Sequence, residues 1–562
     1  MFKSMKMLGV VVLSASLLVA CEKADTTQMQ HGVLEAGNLR DITRPVLLEG
    51  LQSGDVDTMT LTLKTIGNIG GPEAGVMLMP YLTHDNKDVR FAAAFAAGIA
   101  GDPSMLTIMQ SLAGAEQDDA VAARMYQSIG YLSEKEDLGY FVEAVNTLAN
   151  PVRLRGALDG MVIAVSYMRV NATELGDLQF QKILSLTGKD GELGKAAAFL
   201  LGRLTGLPDV VTVADITRAA ESTKNNETRT YMLRVLRRFE GIEDAFYMRA
   251  LDSGVLSVQL EALQAMKARM ASSDRAKAVV REIAEGPDGL LKMTALSSPT
   301  QPPEGYDFQS LAQAYDNQIA SDSDWVATKA LLSLNHVDKA KALATAKTWF
   351  DTGSDYRKGK AIPLLVEDAA YKEKIQAVAE DPSNPHLYYI ARRALDLDVS
   401  DEEQDFGASP TVSAKEALAA TKKSLHFMTS RGNITVQMLE DAPYAAHNFV
   451  SLAEQGGFNG MLFHRVIGNF VAQAGERTDD SFREWKTIRE EWSTVSHEIG
   501  TVGVATSGKD TGTLQFFFNT AHNRYLDGRY TVFGRVTDGL DVMMALEEGD
   551  IINMVHVMGP KE

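Results

Sequence analysis

A single cysteine, Cys21, serves the whole chain of 562 residues. No disulfide can form within it, and neither a thiolate zinc cluster nor a thiol redox pair is possible. Histidine is sparse, and the ten present show no H-x-x-x-H or H-E pairing at helical ligand spacing, so no metal is expected. No P-loop, dinucleotide fingerprint or nucleophile elbow occurs in a credible context, so no cofactor is expected either. Positive charge is also short. Lys and Arg number 55 against 74 Asp and Glu, a formal net charge of −19. Without a basic tract or an aromatic-interleaved cationic face, such a surface repels nucleic acid and anionic headgroups. Long apolar runs are missing after the first, Leu8 to Ala20, which is too short to span a bilayer.

That run has the size of a signal-peptide core and follows Lys3 and Lys6. It closes on Leu18-Val19-Ala20-Cys21, which resembles a bacterial lipobox. The resemblance implies residues 1–20 as a signal peptide, cleavage before Cys21, a lipid on its thiol, and residues 21–44 as a lipidated tether. Glu22, rather than Asp, follows the cysteine, which by the same resemblance favours an outer membrane, facing the periplasm. The plainer alternative is an ordinary signal peptide with a chance cysteine.

Length predicts several domains, since one core rarely grows past about 250–300 residues. From 45 to 397 the apolar pattern is helical and repeats. Asp88-Val89-Arg90-Phe91-Ala92-Ala93-Ala94-Phe95-Ala96-Ala97-Gly98 is echoed by Asp119-Ala120-Val121-Ala122-Ala123-Arg124-Met125-Tyr126-Gln127-Ser128-Ile129-Gly130, and Gly67, Gly98 and Gly130 stand 31 and 32 apart. Degenerate copies follow at 197–202, 231–236, 258–263 and 325–332. The pattern resembles short HEAT repeats. One helical hairpin cannot bury its apolar face alone, whereas a stack shares a continuous core, which implies an α-solenoid with a protein-binding face. Ser298-Pro299-Thr300-Gln301-Pro302-Pro303 is expected to break the array near 298–305. Asp396, Asp398, Asp401, Glu402, Glu403 and Asp405 then read as an acidic linker over 398–421, since the spacing and central glycine of a calcium loop are absent.

Beyond the linker the period changes. Leu425, Phe427 and Thr429, then Ile434, Val436 and Met438, alternate around Ser430-Arg431-Gly432-Asn433, the pattern of a β-hairpin. A helix follows, with Pro443 in its first turn, Phe449 and Leu452 on one face, and Gly456-Gly457 as its stop. Next comes Phe463-His464-Arg465-Val466-Ile467-Gly468-Asn469-Phe470-Val471-Ala472-Gln473, and later Gln515-Phe516-Phe517-Phe518 and Tyr525-Leu526-Asp527-Gly528-Arg529-Tyr530-Thr531-Val532-Phe533-Gly534. In this order the blocks resemble the signature of the cyclophilins, the peptidyl-prolyl cis/trans isomerases, over residues 422–562.

That resemblance implies a closed β-barrel with flanking helices and a catalyst of X-Pro rotation. It makes Arg465 the donor to the prolyl nitrogen and Gln473 the residue that bonds the part of the peptide that does not rotate. It seats substrate on Phe470, Val471, Ala505, Thr506, Gln515, Phe517, Tyr525, Leu526 and Tyr530. Departures are visible too. Gly468-Asn469 replaces the family's usual Pro-Gly, Ala474 a small Gly, and Thr513-Leu514 a Gly-Ser. Tyr525 stands where eukaryotic members have tryptophan, and Tyr530 where they have the pocket histidine. Both keep an aromatic wall with a polar tip, and the resemblance implies altered substrate preference and weak cyclosporin binding. Gln437 lies outside the motifs and is expected to be silent to substitution.

The expectation is therefore a multidomain chain: an all-α HEAT-like solenoid, an acidic linker and a cyclophilin-like barrel that isomerises prolines in exported polypeptides. A partner or client would be held on the solenoid. Two other functions compete with it, a proline-binding barrel without turnover and a scaffold whose solenoid carries the function.

Overall fold

The computed structural model describes residues 26–166, 168, 170–298, 306–381, 383–397, 412–475 and 487–559. The N-terminal motif ending in Cys21, the Pro-containing stretch 299–305 and the acidic run 398–411 lie outside them. Among the described residues no helix is long and apolar enough to cross a membrane.

Up to Pro385–Ala394, antiparallel helices stack in two layers. The inner layer includes Val56–Ile69, Lys87–Ala100, Asp119–Leu132 and Pro151–Val165, each packed on the next. The repeat is written at their starts. Asp55, Asn86, Asp118 and Asn150 each accept hydrogen bonds from the first-turn N–H groups, which would otherwise lack partners. It is written again where the helices touch. A Cβ on Gly98 would stand 2.7 Å from Ser128 Cβ, and one on Gly130 would stand 2.2 Å from the Gly160 carbonyl oxygen. The periodic glycines thus set the inner-layer spacing.

Three boundaries differ from the sequence expectation. Residues 26–39 are helical, with Val33 and Ala36 fully buried in the solenoid core, so most of the expected tether is the first helix of the stack. The core runs past the Pro-containing stretch, joining Met293 and Leu296 to Leu311 and Ala314, and divides instead within Asp324–Leu334. The expected linker ends early, because Ser413 and Glu416 form a reciprocal N-terminal cap for the helix Ala414–Ala420. Ala414, Ala417 and Ala420 of that helix are buried.

The C-terminal part is a closed barrel of eight strands in the order β1-β2-β7-β5-β6-β4-β3-β8. These are β1 Ser424–Thr429, β2 Gly432–Met438, β3 Met461–Ile467, β4 Val471–Ala474, β5 Thr501–Val504, β6 Phe516–Asn519, β7 Val532–Asp538 and β8 Ile551–Met558. The hairpin and the helix Pro443–Glu454 form as their sequence pattern indicates. Phe449 of that helix stacks on Phe533 at 4.0 Å and meets Phe516 edge-on at 6.0 Å, closing the barrel's core. Gln437 is not idle. Its amide donates to the carbonyls of Thr421, Lys423 and Met438, tying the preceding helix to the first hairpin.

The barrel sits against the inner layer of the solenoid. Arg40 pairs with Asp510 at 2.5 Å, and Asn68 exchanges two hydrogen bonds with the Trp492 backbone. Tyr131 donates to the Asp527 carbonyl, Arg524 pairs with Asp159 and Glu192, and Tyr231 donates to the His522 carbonyl. At the far end Lys329 and Tyr356 both hold Glu548. The solenoid face expected to receive a partner is thus occupied, along much of its length, by the chain's own barrel.

Candidate functional site

Period-two geometry places the site. In β6, Phe516 and Phe518 point into the barrel core, so Phe517 between them faces outward. In β4, Ala472 and Ala474 point in, and Val471 and Gln473 point out. Strand pairing then aligns the outward residues: Arg465 of β3 opposes Gln473, Gln473 opposes Phe517, and Phe517 opposes Gly503 of β5. A Cβ on Gly503 would meet the Phe517 ring at 2.4 Å, so only glycine lets that ring lie across the neighbouring strand.

Along this row the polar groups are chained. Arg465 Nη1 donates to Gln473 Oε1 at 3.0 Å, and Gln473 Nε2 donates to Gln515 Oε1 at 2.9 Å. The amide of Gln473 is therefore fixed in orientation. Arg465 is exposed and also stands 5.5 Å from the Phe470 ring centre. Beside it Val471, Phe517 and Leu526 form a small buried cluster, edged by Phe470, Ala505, Tyr525 and Tyr530. This is an apolar seat with one cationic wall. Thr506 lies one residue beyond Ala505, half-buried, past the end of β5. The structure thus gathers the expected residues on one face of the barrel, with Thr506 at its edge.

Sequence reasoning missed the floor and the brace. His497, fully buried, lies under Phe517 at 6.0 Å and edge-on to Tyr530. Asp527 accepts from the His497 backbone at 2.8 Å and faces its Nδ1 at 3.1 Å. Burial opposes the charge on Asp527, yet hydrogen bonds from His497 and Ser496 hold its carboxyl below the usual range. Asn523 Nδ2 and the Thr520 N–H both donate to the Phe470 carbonyl, fixing the ring that walls the seat. The run Asn519-Thr520-Ala521-His522-Asn523-Arg524 is mostly polar, so nothing in the sequence marks Asn519 and Asn523 as buried.

The departures in the motif acquire a cause. Asn469 takes a left-handed backbone with φ of 58°, and its amide donates to the Ser257 carbonyl at 2.9 Å and to Glu261 at 3.3 Å. At Gly468 a Cβ would stand 2.7 Å from Leu260 Cδ1. The turn is thus shaped to dock on the helix Leu256–Ala268. Tyr525 is shared in the same way: it stacks on Phe470 at 6.2 Å and on Phe199 of the solenoid at 6.1 Å, with the Arg203 guanidinium 3.9 Å from its ring centre. Between the seat and the solenoid lies a cavity of about 990 Å³, lined by Arg465, Phe470 and Tyr525 on one side and by solenoid side chains on the other. No cluster able to hold a metal occurs among the described residues.

Comparison with known proteins identifies the family of the barrel. Residues 424–559 match the family of cyclophilin type peptidyl-prolyl cis-trans isomerase/CLD, and residues 44–130 match HEAT repeats. A peptidyl-prolyl cis-trans isomerase of Helicobacter pylori strain J99 is 40% identical over 148 residues, which is 25% of this chain and 88% of that protein. Peptidyl-prolyl cis-trans isomerase B of Bacillus subtilis is 37% identical over 142 residues, 24% of this chain and 99% of that protein. A cyclophilin type isomerase of Cryptosporidium parvum aligns over 25% of this chain and 99% of its own length, with 20% identity and a TM-score of 0.23.

Proposed function

Because this chain belongs to the cyclophilin-type peptidyl-prolyl cis-trans isomerases, we propose that its barrel rotates X-Pro bonds of exported polypeptides, with Arg465 as donor to the prolyl nitrogen. The barrier to that rotation is about 18–20 kcal/mol because the amide C–N bond is partly double. In the twisted state conjugation is broken and the nitrogen regains a lone pair, which a donor stabilises only there. A guanidinium stays charged and offers several N–H groups. One of those on Arg465 is committed to Gln473, which leaves others to point over the seat. Phe470, Val471, Phe517 and Leu526 take the proline ring, while the braced amide of Gln473 holds the flanking peptide.

The observation that carries this reading is the row Arg465, Gln473 and Phe517 across β3, β4 and β6, with the apolar seat beside it. Its test is a prolyl-peptide isomerisation assay on the full chain. Arg465→Ala is expected to lower kcat/KM at least tenfold, about 1.4 kcal/mol of transition-state stabilisation, with an unchanged melting temperature. Peptide binding without any turnover by the parent chain would favour the proline-binding alternative.

For placement, the motif ending in Cys21 supports a lipid anchor on the outer membrane, facing the periplasm. Proline-containing exported chains are the clients this reading implies. The match to HEAT repeats supports protein contact by the solenoid, and its inner-layer side chains at the cavity are where we place client contact.

A further inference from the structure

In a chain of net charge −19, the cavity in front of the proline seat is cationic. Six Lys and Arg cations line it, together with Lys267, which burial lowers to about 7 on the Thr294 and Ser297 carbonyls, against two carboxylates, Glu261 and Glu548. Both carboxylates are already engaged. Glu261 is held by Arg234 at 2.6 Å and Arg237 at 3.1 Å, and Glu548 by Lys329 at 3.4 Å. Arg203 meets no carboxylate among the described residues and stands over the Tyr525 ring at 3.9 Å. Arg238 is held by the carbonyls of Leu201, Gly202 and Leu204 rather than by an acid. Burial, then Arg237 and Arg234, lower its basicity to about 10.

Building such a cluster is costly for a protein with acid to spare, and beyond Arg465 nothing in the isomerase chemistry requires it. We propose that the cleft is a subsite for carboxylates flanking the proline, so that this isomerase prefers acidic proline-containing segments. The proposal rests on the isomerase reading above and names its substrate class. Reach supports it. From the Arg203 guanidinium to the Tyr525 ring is 3.9 Å, and from that ring to Phe470 is 6.2 Å. Arg203 is therefore at most about 10 Å from the seat, about three residues of extended chain. A planar guanidinium in a partly enclosed site binds a carboxylate through two parallel bonds, with weaker screening than at an open surface.

The experiment uses the full chain and three labelled peptides, Ala-Ala-Ala-Pro-Phe, Glu-Glu-Ala-Pro-Phe and Lys-Lys-Ala-Pro-Phe. Both isomerisation and binding by fluorescence anisotropy are measured. The Glu peptide is expected to exceed the Lys peptide at least tenfold in kcat/KM. That ratio should shrink several-fold between about 0.02 M and 0.3 M salt. In Arg203→Gln/Arg237→Gln the ratio is expected to fall at least fivefold, and Arg203→Glu should bring it near or below one. Equal ratios in the parent overturn the proposal without needing any variant, and so does a preference that survives the double substitution. Tight Glu-peptide binding that the double variant loses, with no turnover of any peptide, would instead reject the isomerase reading and leave the cleft assignment standing. A single-stranded oligonucleotide of equal charge should compete poorly; one that displaces the Glu peptide at lower concentration overturns the choice of ligand.

Discussion

Glu490→Gln should gain stability relative to the parent protein as the solution goes from mildly acidic to mildly basic. Glu490 is 3% exposed and sits where the barrel meets the first solenoid helices. Its carboxylate accepts from the Thr531 N–H at 3.0 Å and from the Thr531 hydroxyl, while its own N–H donates to Asp510 and its carbonyl accepts from Arg40 at 2.8 Å. Burial, helped by the Asp510 charge and opposed by Thr531 and Arg40, pushes the carboxyl from 4.5 up to about 7. A folded-state value above the unfolded one means stability that is full below pH 4.5 and is lost as pH rises through about 7. At about 1.4 kcal/mol per tenfold change in proton affinity, the loss approaches about 3 kcal/mol.

Glutamine cannot ionise, so it escapes that loss. Its buried NH2 costs about 1–3 kcal/mol without an acceptor, but equally at every pH. The quantity to measure is therefore the difference in melting temperature between variant and parent, at about pH 5 and again at about pH 8. It should grow by roughly 4–10 °C toward the higher pH, taking about 2–4 °C per kcal/mol for a unit of this size. Glu491 next door, which burial pushes up to about 7, is raised in part by the Glu490 charge, so the substitution lowers it and adds to the same trend. A difference that stays flat across pH would refute the reasoning.

At the row of Arg465, Gln473 and Phe517, Arg465→Ala should lose at least tenfold in kcat/KM at constant melting temperature; full activity would show the donor lies elsewhere. Asn469→Gly keeps the left-handed turn but deletes two hydrogen bonds to the solenoid, at about 0.5–1.5 kcal/mol each. Faster amide exchange in β3 and β4 is expected, and unchanged exchange would show that the turn does not dock in solution. Cys21→Ser should release the protein from the membrane fraction and leave an unlipidated N-terminus by mass spectrometry. An unmodified Cys21 on a membrane-free parent protein would remove the anchor from the proposal.

How much of this was legible in advance follows from the range of each interaction. The hairpin at 424–438, the helix Pro443–Glu454 and the outward row of Arg465, Gln473 and Phe517 obey local periods, and a period is visible in one dimension. The solenoid repeat was legible for the same reason, through Gly67, Gly98 and Gly130, although Gly160 continues the series and went unread. What escaped were contacts between distant segments. Gly468-Asn469 reads as a turn of uncertain geometry until Leu260 and Glu261 are seen opposite it. Tyr525 reads as a pocket aromatic, and nothing in its neighbours announces Arg203. His497 escaped because no motif surrounds it, though it floors the seat. The helix Ala414–Ala420 was masked by the acidic run before it, although its Ser413 and Glu416 were in plain view.

The docked barrel also sets an order of events in synthesis. Arg40 and Asp510 are separated by 470 residues, so every residue of the groove is made before its occupant leaves the ribosome. Until the barrel docks, the cationic lining at Arg203, Arg237 and Arg238 has no cover from it. Contacts of such separation form slowly, after most of the chain entropy has been lost elsewhere. The solenoid therefore passes through an unlatched stage that ends only when the last quarter of the polypeptide folds and closes it from within.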